Sequence, residues 1–176
     1  VARISRKLSE RLGLPAAQRD AIALAGLVHD LGKGGAQHLT ALHVAVYAAH
    51  KALGAHTHRM PEALLAPVEL PAMTVGALAS MYECFDGKGL PTGASGRQIP
   101  VGARVLAVAD AFACVTTSAD HPGKKVLAPT AASALLAKFS GKIFDPAVIE
   151  ALTHVVPGEE LRAALLADRP TVDRKS

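Results

Sequence analysis

Apolar residues recur along the chain three and four positions apart, and the strict alternation that marks a half-buried strand is scarce. This periodicity predicts helices over 2–12, 16–31, 40–56, 71–82, 100–118, 130–139, 145–155 and 159–167, and hence an all-α fold. Gly13-Leu14-Pro15 closes the first helix, while Thr40 and Asp145 are the expected N-caps of two later ones. Pro146, at a first helical position, supports the second of these starts. Two stretches break the pattern. Residues 58–71 carry three prolines and read as a connector with one short turn. Residues 86–100 hold four glycines and two prolines, too many for a regular element, and a loop of that length between helices is more often functional than not. The polar tail after Arg169 is expected to be mobile.

Composition adds limits. Half of the 176 residues are apolar, enough for the core of one domain, but only four Phe and two Tyr are present. Ala, Leu and Val must therefore build the core, which favours helices packed at short distance. Nineteen basic against fifteen acidic residues leave a net charge of +4, spread along the chain without clustered Lys/Arg or stacking aromatics. That argues against a nucleic-acid partner and is compatible with an anionic phosphate ligand. Cys84 and Cys114 form no CxxC pair, as expected in a reducing, cytoplasmic compartment. No apolar run approaches the ~18–20 residues of a membrane span, and no signal peptide is visible. The chain opens inside a helical pattern and reads as part of a longer protein with an upstream regulatory domain.

Three features carry chemistry. His29-Asp30-Leu31-Gly32-Lys33 places an imidazole and a carboxylate at a helix end, the mixed N/O set that divalent transition metals accept; Lys33 follows within reach of a phosphate oxygen. The same dipeptide also reads as a histidine capping a helix beside a solvated aspartate. Asp110 is the only charged residue between Arg104 and Asp120, within an apolar helix. A buried carboxylate needs a cation, so its partner is a metal or an ion pair, for example with Arg104 or a lysine. His43 and His50 lie seven residues apart, on one helical face; for His43, His56 and His58 a surface or half-buried structural role is expected.

Taken in order, these pieces resemble the HD-GYP family of metal-dependent phosphodiesterases that hydrolyse cyclic di-GMP. The likeness runs from Val1 to about Val155. The opening, from Val1 to Pro15, is similar to the family's first helix. The segment 29–33 is similar to its His-Asp-Ile-Gly-Lys motif. Leu39-Thr40, His50 and Gly54 keep the spacing of a helix whose histidine ligates metal. Residues 83–91 resemble its His-Glu…Asp-Gly-x-Gly-Tyr-Pro segment, residues 99–110 the helix with its last aspartate ligand, and Phe144-Asp145-Pro146 its C-terminal signature. The resemblance implies an HD-superfamily helical bundle over residues 1–156, its first helix truncated, with a C-terminal helix and mobile tail over 157–176. It implies metal ligands His29, Asp30, His50 and Asp110, with Asp30 and Lys33 as catalytic residues. Asp86, Gly87, Gly89, Leu90, Pro91 and Arg104 would form a substrate or partner loop, and in the family that loop is proposed to meet partners such as GGDEF cyclases.

The departures are specific. The family's paired histidines are Met81 and Tyr82 here, its motif tyrosine is Leu90, and a nearby aspartate is Ala113. The stretch after His29-Asp30 is about eight residues shorter than usual. Thioether and neutral phenol are poor ligands for hydrolytic divalent ions. The resemblance therefore implies a degenerate member: a regulatory module with impaired cleavage of cyclic di-GMP or a related phosphate ligand. An active hydrolase with a reduced, mononuclear site and a docking module using the glycine-rich loop are the alternatives. The expected cofactor is Fe, Mn or a similar ion, one rather than two, or none.

Overall fold

A computed structural model describes residues 1–33, 38–57, 59–119, 121 and 124–167, with side chains described to residue 158. Nine α-helices are found among the described residues: α1 (Ala2–Arg11), α2 (Ala16–Val28), α3 (Ala41–Val46), α4 (Ala48–Thr57), α5 (Met60–Leu64), α6 (Ala72–Ala79), α7 (Val101–Thr117), α8 (Pro129–Ala137) and α9 (Pro146–Ala167). The polar tail lies outside the described residues.

Helix α7 is the axis of the bundle and touches α1, α2, α3, α6, α8 and α9. Its sequence explains the position. From Gly102 to Val115 nearly every residue is buried, and a helix apolar on all sides belongs inside a protein. Two clusters form the core around it. The larger joins Leu8, Ile22, Val108, Phe112, Leu136, Phe144 and Leu152. The smaller packs Leu39, Val44, Leu78, Met81, Tyr82 and Leu106 beneath the ends of α2 and α6.

Small residues set the helix spacing. A Cβ on Gly26 would lie 2.8 Å from the Ala2 Cα and 2.9 Å from its nitrogen, so α1 crosses α2 at backbone contact. Gly26→Val should push α1 off α2 and destabilise the fold by about 1–3 kcal/mol, the usual cost of overpacking. Chemical denaturation measures this directly, and an unchanged midpoint would show that the contact yields without cost.

Several boundaries differ from the sequence expectation. The predicted helix 40–56 is two helices, because Tyr47 adopts extended dihedrals (φ −118°, ψ 122°) between them. The run Val44-Ala45-Val46-Tyr47 is β-branched and aromatic, with weak preference for continuing a helix. The helices expected at 145–155 and 159–167 are one, α9, running through Pro157. A proline removes one backbone bond and bends a helix without always ending it. The connector 58–71 contains α5. The two N-caps are as expected: Thr40 forms a capping box with His43, and Asp145 Oδ1 accepts from the Ala147 N–H at 2.8 Å.

Candidate metal centre and its surroundings

Helix α2 ends at Val28, three residues earlier than its periodicity suggests, and the chain tightens into turns with Leu31 N–H bonded to Val28 O and Lys33 N–H to Asp30 O. Gly32 supplies the positive φ (81°) that such a reversal requires. These turns swing His29, Asp30 and Lys33 toward Asp110 on α7.

His29 is buried, and its Nδ1 donates to the Gly26 carbonyl at 3.0 Å. That bond leaves Nε2 facing the carboxylates, 3.1 Å from Asp30 Oδ2 and 3.2 Å from Asp110 Oδ1. Asp110 is wholly buried. His38 closes the group: its Nδ1 lies 2.7 Å from Asp30 Oδ2 and its Nε2 2.9 Å from Asp110 Oδ1. The two imidazoles meet edge-on, with ring centroids 5.8 Å apart. Ligand atoms of His29, His38 and Asp110 fall within 4.8 Å of one another, and Asp30 bridges the two histidines.

The donor set fits a divalent cation. Asp110 Oδ2 is buried with no hydrogen-bond partner, and His29 Nε2 faces only the carboxylates of Asp30 and Asp110. Lone pairs converging without protons are stabilised by a positive ion between them, and mixed imidazole–carboxylate ligation suits Mn, Fe or Zn. In the metal-free protein, protons take that role. Burial opposes charge on His29, but the carboxylates of Asp110 and Asp30 overcome it and push its pKa up to about 9. Hydrogen bonds to Asp110 and Asp30 carry His38 up to about 10. Burial would raise Asp30 and Asp110, yet the two imidazoles hold both below the ordinary carboxylate range.

The sign of the pH dependence follows. Histidines raised above their unfolded value of 6.5 stabilise the fold fully below that pH, and the contribution is lost as pH rises through about 9 and 10. The depressed aspartates stabilise it above their unfolded value of 3.8 and lose that contribution as pH falls. Metal-stripped protein should therefore melt at progressively lower temperature from pH 6.5 to 10, and again on acidification below about 4. A flat melting profile between pH 6.5 and 10 would contradict the ion pairing.

Lys33 turns away from solvent. Its Nζ donates to the Tyr82 hydroxyl at 3.1 Å and lies 3.6 Å from Asp30 Oδ1 and 3.7 Å from Met81 Sδ. Tyr82 passes its own proton to the Leu39 carbonyl at 3.1 Å. Burial lowers the Lys33 pKa and, with the nearby aspartates, raises that of Tyr82.

Of the residues expected at the site, His29, Asp30, Lys33 and Asp110 come together. His50 does not join the three-ligand group; it lines an adjoining cavity of about 350 Å³ shared with His38, His43, Tyr47, His121 and Lys124. His43 is buried rather than superficial, its Nδ1 accepting from the Thr40 N–H at 3.2 Å. Arg104 pairs with Asp145 and donates to the Ile99 carbonyl at 3.0 Å, tying α7 to the start of α9. It is thereby accounted for as a structural cation, and Asp110 takes histidines as partners instead. In the loop, Asp86 Oδ1 caps the Lys88 N–H at 3.1 Å. A Cβ on Gly89 would lie 2.1 Å from the Cys84 nitrogen, so only glycine permits that crossing. Leu90 is half-buried and packs against the smaller core cluster. His38 was not among the residues expected. The available signal was its place just before Leu39-Thr40, in a connection short enough to bring it back to Asp30.

A family model described as "HD domain" matches residues 1–148. The chain is an HD domain. Its HD-GYP character is borne out by its relatives. It is 30% identical over 155 residues to the "cyclic di-GMP phosphodiesterase response regulator RpfG" of Xanthomonas campestris, covering 86% of this chain and 40% of that protein. It is 27% identical over 158 residues to the "cyclic di-GMP phosphodiesterase" of Thermotoga maritima, covering 84% and 40% respectively. This HD domain thus spans about 40% of the length of those two relatives. Its fold matches a cyclic GMP-AMP specific phosphodiesterase of Vibrio cholerae with a TM-score of 0.70 at 15% identity, over 93% of this chain and 44% of that one. Among the described residues, no helix is long and apolar enough to cross a membrane.

Proposed function

We propose that this HD domain is a degenerate cyclic-dinucleotide phosphodiesterase domain, a signalling module that holds one divalent ion, binds a phosphodiester ligand and cleaves it poorly. The observation that carries this reading is the setting of Lys33. Its ammonium is packed against Met81 and Tyr82, the positions at which the family resemblance places paired histidine ligands. A second ion has neither its imidazoles nor an uncharged space there. His29, Asp30, His38 and Asp110 would hold the remaining ion, which when bound supplies Lewis acidity and activates water. Asp30 orients both imidazoles, and Lys33 Nζ, 3.6 Å from Asp30 Oδ1, offsets its charge from within the fold. The buried thiols of Cys84 and Cys114, neither in a disulfide, suit a reducing, cytoplasmic setting.

The test is metal analysis joined to a cyclic di-GMP assay on the full-length protein. One ion per chain, saturable cyclic di-GMP binding and turnover at least about 100-fold below that of a two-ion relative are expected. Two bound ions with rapid cleavage would overturn the reading. A second reading, a working one-ion hydrolase, is favoured by His38, which replenishes the ligand set. It predicts single-ion turnover that Asp30→Ala abolishes.

A further inference from the structure

The connector between α4 and α6 is apolar where a surface loop is ordinarily polar. From Met60 to Leu70 the only polar side chains are Glu62 and Glu69, yet only Pro61 of that run is buried. Met60, Leu64 and Val68 follow one another at intervals of four along α5 and the turns after it, Leu64 and Val68 more than half exposed. A Cβ on Gly32 would meet Leu64 Cδ1 at 2.4 Å and Met60 Cβ at 3.6 Å, so this stripe lies against the turn that carries Asp30 and Lys33. Leu31 is exposed on the same turn, and Leu27, at the end of α2, is 73% exposed. Two adjoining segments thus hold five of the eight large exposed apolar side chains among the described residues. A single exposed leucine carries no meaning, but a gathered patch marks a contact surface.

The patch is complementary to itself. Beside the protruding Leu64, a recess of about 350 Å³ opens between α5 and α6, walled by Leu65, Val68, Leu70 and Val75. Arg59 and Glu62 stand together on its rim, with Arg59 Nε 3.2 Å from Glu62 Oε2 and Nη2 3.3 Å from Oε1. A two-fold contact sets each residue of the patch against its counterpart's neighbour, so a patch that meets its own copy must carry both halves of every fit. This one does. Leu64 of each chain can enter the recess of the other, while Arg59 faces Glu62 of the partner subunit and the reverse. A membrane surface suits it less, because Glu62 and Glu69 outnumber Arg59 and oppose anionic lipid.

We infer that this surface joins two copies of the chain in a weak two-fold dimer, built from α5, the turns after it and the end of α2. An apolar patch of a few hundred Å² on each side gives a contact at the small end of specific interfaces, below about 1,200 Å² in total, and hence a reversible, micromolar association. The inference goes beyond the proposed function and stands whether or not the ion cluster is filled.

Sedimentation velocity of the full 176-residue chain, from about 1 to 300 µM, tests this over the range that brackets so small a contact. Monomer should convert to dimer as concentration rises. Leu64→Glu and Leu27→Glu lie on separate elements and at exposed positions, so both variants should keep the wild-type circular dichroism. Each should weaken the dimer by at least about tenfold, because each buries a charge in an apolar contact. Arg59→Glu and Glu62→Arg set like charges across the axis and should each weaken it severalfold. An equimolar mixture of those two variants should associate more tightly than either alone, since opposite charges then face each other again. A chain that stays monomeric throughout, or a dimer indifferent to both leucine substitutions, would overturn the inference. A mixture no tighter than its components would overturn the two-fold pairing of Arg59 with Glu62. A monomer that floats with phosphatidylcholine vesicles, and loses them on Leu64→Glu, would assign the patch to a membrane surface instead.

Discussion

Asp110→Asn is expected to lower the affinity of this HD domain for manganese or zinc by more than about 100-fold, since changes to groups merely supporting a ligand already cost about 10–100-fold. Asp110 is wholly buried on the central helix, with Oδ1 within 3.2 Å of His29 Nε2 and 2.9 Å of His38 Nε2. Its second oxygen, Oδ2, has no partner and is available to an ion. Asparagine keeps the shape but removes the charge that both compensates the cation and raises the two imidazoles. Two readouts follow. Metal titration reports the affinity, and proton NMR of the stripped protein should show His38 falling from about 10 toward its ordinary 6.5, with Asp30 still holding part of the shift. Undiminished affinity in the folded variant would mean that the ion binds elsewhere.

Asp110 is legible from the sequence alone. A lone charge in a run of Ala, Val, Leu and Phe must be buried, and burial demands a partner; both hold here. The choice between a metal site and an ion pair with Arg104 was not readable, because it depends on where Asp145 falls in space. His29 and Asp30 were legible as a local motif. His38 was not, since its role arises from the return of a short connection rather than from any local pattern. Helix existence was largely legible from apolar spacing, whereas helix continuity was not. Tyr47 interrupts one predicted helix, and Pro157 does not separate the two expected on either side of it. At Tyr47 the weak local preference for helix gives way, and at Pro157 the helix tolerates the loss of one backbone bond. Lys33 is the most instructive difference. Its place after Gly32 suggested a side chain reaching out to a phosphate, yet it is folded inward onto Tyr82 and Met81.

That inward lysine shapes the second large effect. The double substitution Met81→His and Tyr82→His should restore two imidazoles to the smaller core cluster, beneath Asp30, and raise bound metal from one ion toward two per chain. The gain should be incomplete while Lys33 keeps its charge. At about 4 Å and an effective dielectric near 20, two unit charges repel by roughly 4 kcal/mol, and a divalent ion roughly doubles that. The second ion should therefore bind at least about 100-fold more tightly when Lys33→Met is added to the pair, because about 2.7 kcal/mol of relief suffices for that factor. Cyclic di-GMP cleavage should rise with the second ion, since two ions stabilise the attacking and the leaving oxygen together. The substitutions carry a stability cost. Tyr82 is almost fully buried and donates to the Leu39 carbonyl, so its loss should cost about 1–3 kcal/mol, which a melting curve will register. Metal counting in the folded triple variant decides the matter: a stoichiometry still at one would show that Met81 and Tyr82 do not border a second ion position, and the degeneracy of this site would then need another cause.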